Sequence, residues 1–297
     1  MINTEAISGS YEMTAATTAA TTRGSVAFTR LLRAELRWIF RRPRNLMMLG
    51  VLPFIPIAVG ISLLFAEPST SPHAGPGSGL LPAAVDNAFA LPIAVIVIAL
   101  TTGMPLTAAM AGADALAGEA AHGTLRGWLL APVSRGRLLA VKAAGVAVVV
   151  LAATLPMALS GFAAGLVMFG THATYSLSGS SVTFWAALGQ IMIAVVWVTL
   201  QLLAVGAVAL AISACTDHPL IVVIAVLGGT ALSTLLTMLS PLDWLHPFLL
   251  TESWNAVGDV LRDPMPTDAL LQSVLCALCY IGVGLSLAYL RLKTKDS

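Results

Sequence analysis

Glu119, His122 and Arg126 flank a Gly123-Thr124-Leu125 turn signal, in the long polar interruption between the second and third apolar runs of the chain. A carboxylate, an imidazole and a guanidinium around one tight turn suit polar contacts with another protein. Gly112 and Gly118 weaken the helix that enters this stretch, and Gly123 suits a C′ position, where positive φ costs glycine little. Thr124 can cap a second short helix over Leu125 to Ala131, Pro132 follows it, and Ser134 can cap the next apolar run. Residues 111–137 are therefore expected to form a hairpin whose turn projects as a rounded knob for a partner. The alternative is an ordinary capped loop that only satisfies backbone groups.

Other residues with chemical potential fit packing as well as function. Cys276 and Cys279 form a Cys-x-x-Cys at i, i+3 spacing, but within an apolar run and without further ligands. Gln190 and Gln201 are polar groups in the fourth run, suited to interhelical hydrogen bonds or to lining a pathway. Asp217-His218 stands in a very short connection and can be a structural turn or a contact point. An intramembrane hydrolase needs a nucleophile or metal constellation at membrane depth, yet His122 and His218 fall at one edge and His73, His172 and His246 at the other. No Asp, Glu, Lys, Arg or His is expected deep within any span, which counts against an ion-coupled transporter.

The elements that must position these residues are membrane spans. Of 297 residues, 58% are hydrophobic and 10% charged, where soluble domains carry roughly 25% charged residues. Six runs can cross a hydrocarbon core of roughly 30 Å: Leu46 to Phe65, Ala88 to Met110, Leu138 to Phe169, Phe184 to Ala214, Leu220 to Leu239 and Ala269 to Leu290. Pro53 and Pro56 are expected to kink the first, and Pro219 suits the first turn of the fifth. With both termini cytoplasmic, Arg23, Arg30, Arg33, Arg37, Arg41, Arg42, Arg44, Arg126, Arg135, Arg137, Lys142, Arg291, Lys293 and Lys295 all lie inside and only Arg262 lies outside. The positive-inside rule demands that orientation.

Around the spans, residues 1–25 read as a disordered cytoplasmic tail and 26–297 as one transmembrane domain. Within it, 26–45 contains an amphipathic interfacial helix with Arg30, Arg33, Arg37 and Arg41 on one face and Phe28, Leu31, Leu32, Leu36 and Ile39 on the other. Glu35 interrupts the apolar face, either snorkelling to water or pairing with a basic residue of the loop between spans two and three. Residues 240–268 mix Trp244, Phe248, Trp254 and Val257 with acidic side chains, which predicts one or two short helices at the outer interface. The fold class is thus all-α and polytopic.

The residues of the hairpin also carry a family resemblance. Glu119, three residues, Gly123-Thr124-Leu125, then Leu129-Leu130, Pro132-Val133-Ser134-Arg135, Leu138-Leu139 and Lys142 resemble the type-2 permease of ATP-binding-cassette (ABC) exporters, with a G-subfamily-like fold. His122 departs from the charged residue expected before the glycine. The resemblance runs over nearly the whole chain from Val26. It implies a connecting helix, six spans, a first coupling helix after span two, a second short one at Asp217-His218, and an outer helical segment before span six. It further implies a cytosolic ABC ATPase in two copies, a second permease chain (an identical copy or a related paralogue), surrounding membrane lipids and no nucleic acid. Glu119, His122, Gly123, Thr124, Leu125, Arg126, Asp217 and His218 would meet the ATPase. Spans two and five would line the pathway through Thr101, Thr102, Met104, Thr107, Ser233, Thr234, Thr237 and Met238, residues that helix packing explains equally well.

The chain has no Gly-x-x-x-x-Gly-Lys-Ser/Thr phosphate loop and no Gly-Lys dipeptide. It is therefore expected to bind no cofactor and to be no enzyme itself, with ATP and Mg held by the partner ATPase. The expected function is an exporter permease of a bacterial plasma membrane for a hydrophobic or amphipathic cargo. Drug or antibiotic efflux comes first and lipid or glycolipid export second, with an intramembrane enzyme or a non-transporting partner as the competing classes.

Overall fold

Apolar runs of this length fold as helices in a bilayer because every backbone N–H and C=O must find its partner within the segment. The computed structural model describes residues 28–65, 80, 89–123, 134–170, 183–262 and 266–294, and among them the chain is helical without a strand. In chain order the helices are α1 (Phe28–Arg41), α2 (Pro43–Val51), α3 (Phe54–Leu64), α4 (Ala90–Thr102), α5 (Met104–Ala113), the short α6 (Glu119–Ala121), α7 (Arg135–Phe169), α8 (Phe184–Cys215), α9 (Pro219–Leu236), α10 (Leu250–Ser253) and α11 (Thr267–Thr294). A π-helical turn, Asp114–Gly118, joins α5 to α6.

Five stretches are long and apolar enough to span a membrane: Pro43–Leu64, which is α2 with α3, then α7, α8, α9 and α11. A sixth crossing requires α4 and the segment from α5 to Ala121 to act together, and these meet at a 53° bend. Gly103 leaves helical geometry there (φ −126°, ψ −32°), and Pro105 in the first turn of α5 has no N–H to continue the ladder. The single run expected from Ala88 to Met110 is thus two helices that meet at a bend and continue past Met110. The first run also divides, into α2 and α3 at Leu52-Pro53, whereas Pro56 is accommodated inside α3.

α8 organises the bundle, packing along α11 and against α5 and α7. Between apolar helices in lipid the attraction is close packing, and small residues permit it. A Cβ on Gly284 of α11 would stand 2.7 Å from the Ala207 carbonyl oxygen, and one on Gly112 of α5 would stand 2.5 Å from Ala209 Cβ. α5 runs through Gly112, whose missing side chain gives close contact with α8. Beyond α9, the segment before α11 forms two 3₁₀ stretches, Ser240–Phe248 and Trp254–Leu261, around α10. Trp254, Val257, Val260 and Leu261 are buried while Trp244 and Phe248 are exposed. The Tyr280 hydroxyl donates to the Phe248 carbonyl at 3.0 Å, which fastens this segment to α11.

Candidate functional site

The faces of α1 follow its sequence pattern. Arg30, Arg33, Arg37 and Arg41 are exposed, while Leu31, Glu35 and Ile39 are buried against α7. Gly145 makes the approach possible, since a Cβ there would lie 3.1 Å from both Glu35 Cγ and Ile39 Cδ1. A buried carboxylate needs a cation close by. Glu35 finds one in Lys142, whose Nζ donates to Oε2 at 2.7 Å, and the same ammonium donates to Glu119 Oε1. Lys142 is fully buried, and Glu35 and Glu119 are 2% and 3% exposed. Glu35 is therefore an ion-pair partner rather than a snorkelling side chain, and its cation comes from two turns into α7 rather than from the loop.

Lys142 is one of the cations counted on the cytoplasmic side, and it is fully buried. It lies inside the third run, but at the end where α1 and α6 supply compensating carboxylates. The Trp38 ring adds to the site: Lys142 Nζ is 5.6 Å and the Arg42 guanidinium carbon 3.7 Å from its centroid. A second ion pair stands beside the first. Arg44 Nη2 donates to Asp114 Oδ1 and Oδ2 at 2.7 and 2.6 Å, and Arg42 Nη1 is 3.3 Å from Oδ2. Asp114, Lys142, Arg42, Arg44 and Trp38 were not among the expected site residues. A lone lysine in an apolar run, with Glu35 interrupting the apolar face of α1, was the available signal.

The two clusters bind three parts of the chain into one body: α1 with its junction to α2, the stretch from the π turn to α6, and the start of α7. Directly after α6 comes the expected turn. Gly123 has φ +70°, and its N–H donates to the Ala120 carbonyl at 3.0 Å. His122 is exposed, and its Nδ1–H donates to the Gly118 carbonyl at 2.6 Å. Thr124, Leu125 and Arg126 lie outside the described residues, as do the expected second helix, residues 1–25 and all but Leu80 of the outer loop between spans one and two. Asp217 and His218 are exposed in the turn before α9, where the His218 N–H donates to Thr216 Oγ1 at 3.2 Å.

The candidate pathway residues divide. Met104 and Thr107 are buried in the bundle, and the Thr107 hydroxyl is used by the Met104 carbonyl at 2.7 Å. Thr101, Thr234 and Met238 are exposed, Thr237 is half-buried, and the half-buried Ser233 hydroxyl lies 2.6 Å from Thr251 Oγ1. The Thr102 side chain is outside the described set. Gln201 is fully buried and donates to the Ser273 carbonyl at 3.2 Å, a hydrogen bond between α8 and α11. Cys276 and Cys279 are free thiols, and no group of three or more His, Cys, Asp or Glu suited to a metal occurs among the described residues.

A family model described as ABC-2 family transporter protein matches residues 7–297. No curated protein matches the chain.

Proposed function

We infer the function from one premise: this chain belongs to the ABC-2 transporter family, and as such it is the multi-pass membrane permease subunit of an ABC transporter, paired with an ABC ATPase. Its turn at Gly123 is where, on our reading, the ATPase pushes. The observation that carries this is the buried Glu35–Lys142–Glu119 cluster immediately behind that turn. Separating buried ion pairs is costly because each charge would be left uncompensated. A load applied beyond Glu119 therefore moves α6, α7 and α1 together instead of bending one helix. Asp114 with Arg42 and Arg44 carries the same displacement to the start of α2.

The finer features follow as proposals. Two ATPase copies hold ATP and Mg, and this chain binds neither and catalyses nothing itself. A second permease chain, identical or paralogous, completes the pathway. The bent α4–α5 pair counts as one span, giving six, with both termini on the cytoplasmic side of a bacterial plasma membrane. In support, α1, Arg135, Arg291 and Lys293 gather at one end of the bundle, where Arg135 Nη1 donates to the Leu292 carbonyl at 3.0 Å. Cargo moves outward and is hydrophobic or amphipathic, a drug or antibiotic, along a path that includes Thr101, Ser233, Thr234, Thr237 and Met238.

Gly123→Val tests the contact. Among the described residues nothing lies within 4 Å of a Cβ at this exposed position, and the substitution acts on the backbone at φ +70°. That strain costs on the order of 1–3 kcal/mol and is confined to the turn. We expect the variant to retain its thermal stability and to bind the ATPase, while cargo-stimulated ATP turnover falls several-fold. A stable variant with unchanged stimulation removes Gly123 from the contact.

A further inference from the structure

We propose that Ser213 of α8 sets the helical register of the segment carrying Glu119, and is thereby a positioning residue for coupling. In an unbroken α-helix the Ala117 N–H would bond the Ala113 carbonyl. Here the Ala117 N–H donates to Ser213 Oγ at 2.8 Å, and that hydroxyl donates onward to the Ala113 carbonyl at 3.2 Å. The serine side chain, 1% exposed, is thus inserted into the ladder at the place where the helix widens into the π turn Asp114–Gly118. Insertion of a side chain into the i→i+4 ladder is a recognised cause of such a distortion, and the hydroxyl satisfies both backbone groups that the widening separates.

The slip has a geometric consequence. Each residue turns an α-helix by about 100°, so residues five apart stand about 140° from one another around the axis. The i→i+5 turn brings such residues roughly onto one side. Asp114 and Glu119 are five apart, and both reach cations on neighbouring elements, Asp114 at Arg42 and Arg44 and Glu119 at Lys142. Restoring the α register past Asp114 would hand the Glu119 position to Gly118 and rotate Glu119 into the half-exposed position of Ala120. Lys142 would then keep Glu35 alone.

This inference rests on the coupling reading for its consequence but not for its geometry, and the test separates the two. In a chain with Cys215, Cys276 and Cys279 replaced by serine, Ala120→Cys should react slowly with a maleimide in permeabilised membranes and the exposed Ala121→Cys quickly. Adding Ser213→Ala should raise the Ala120→Cys rate several-fold, to that of Ala121→Cys, and Ser213→Gly should do the same. An unchanged rate in both folded variants overturns the proposal. In the assembled transporter, Ser213→Ala and Glu119→Gln should each lower cargo-stimulated ATP hydrolysis, and the double variant should be no worse than the more severe single one. Shifted labelling with unaffected hydrolysis would leave the register device standing and refute the coupling role of Glu119.

Discussion

Lys142→Ala should destabilise the folded chain by about 3–5 kcal/mol, the cost of removing one partner from a buried charge cluster. Glu35 on α1 and Glu119 on α6 are both buried, so the loss takes their shared ammonium from charges that water does not reach. The expected readout is an early thermal transition and a sharply reduced yield of monodisperse protein in mild detergent. The asymmetry of buried pairs supplies a control. Replacing the whole trio with apolar side chains, Glu35→Leu with Lys142→Met and Glu119→Leu, leaves no stranded charge and should recover most of that stability. The recovered protein should still couple poorly, because the elements joined by the cluster are then held only by non-directional packing. A Lys142→Ala protein as stable as its parent would mean that the carboxylates are satisfied by groups other than Lys142, and the rigid-body account of the site would fail.

The second large effect is at the centre of the bundle. Gly284→Val should destabilise by about 1–3 kcal/mol or more, because overpacking displaces backbone that cannot yield. The added Cβ would meet the Ala207 carbonyl oxygen at 2.7 Å and its carbon at 2.8 Å, and both atoms belong to the ladder of α8. α11 would have to lift off α8 along the most extensive interface of the fold. Gly282, on the same helix, has none of the described residues within 4 Å of a Cβ. Gly282→Val should therefore melt close to the parent, and equal losses at the two positions would argue against contact-limited packing of α8 on α11.

Much of the helical layout was legible in the sequence because hydropathy and arginine spacing are local signals. The exposed arginines and buried Leu31 and Ile39 of α1 follow from period alone. The glycine turn at Gly123 was legible for the same reason: positive φ is a property of one residue. What escaped depends on distance along the chain. Glu35 lies 107 positions from Lys142, and Ser213 lies 96 from Ala117, so no local window pairs the residues of the ion cluster or of the register slip. The burial of Met104 and Thr107 was hidden for another reason. α5 is apolar all round, so no periodicity marks which side meets α8 and which meets an open path. The bend at Gly103 was hidden because Gly103 and Pro105 are both tolerated inside a span.

The most direct test of the central claim is purification of the tagged chain in mild detergent from cells expressing its whole operon, with ATP hydrolysis assayed in the eluate. The account predicts a co-purifying ATPase that carries the phosphate loop absent from this chain, with hydrolysis stimulated by an amphipathic cargo. Recovery of this chain alone, folded and without ATPase activity, would contradict the account.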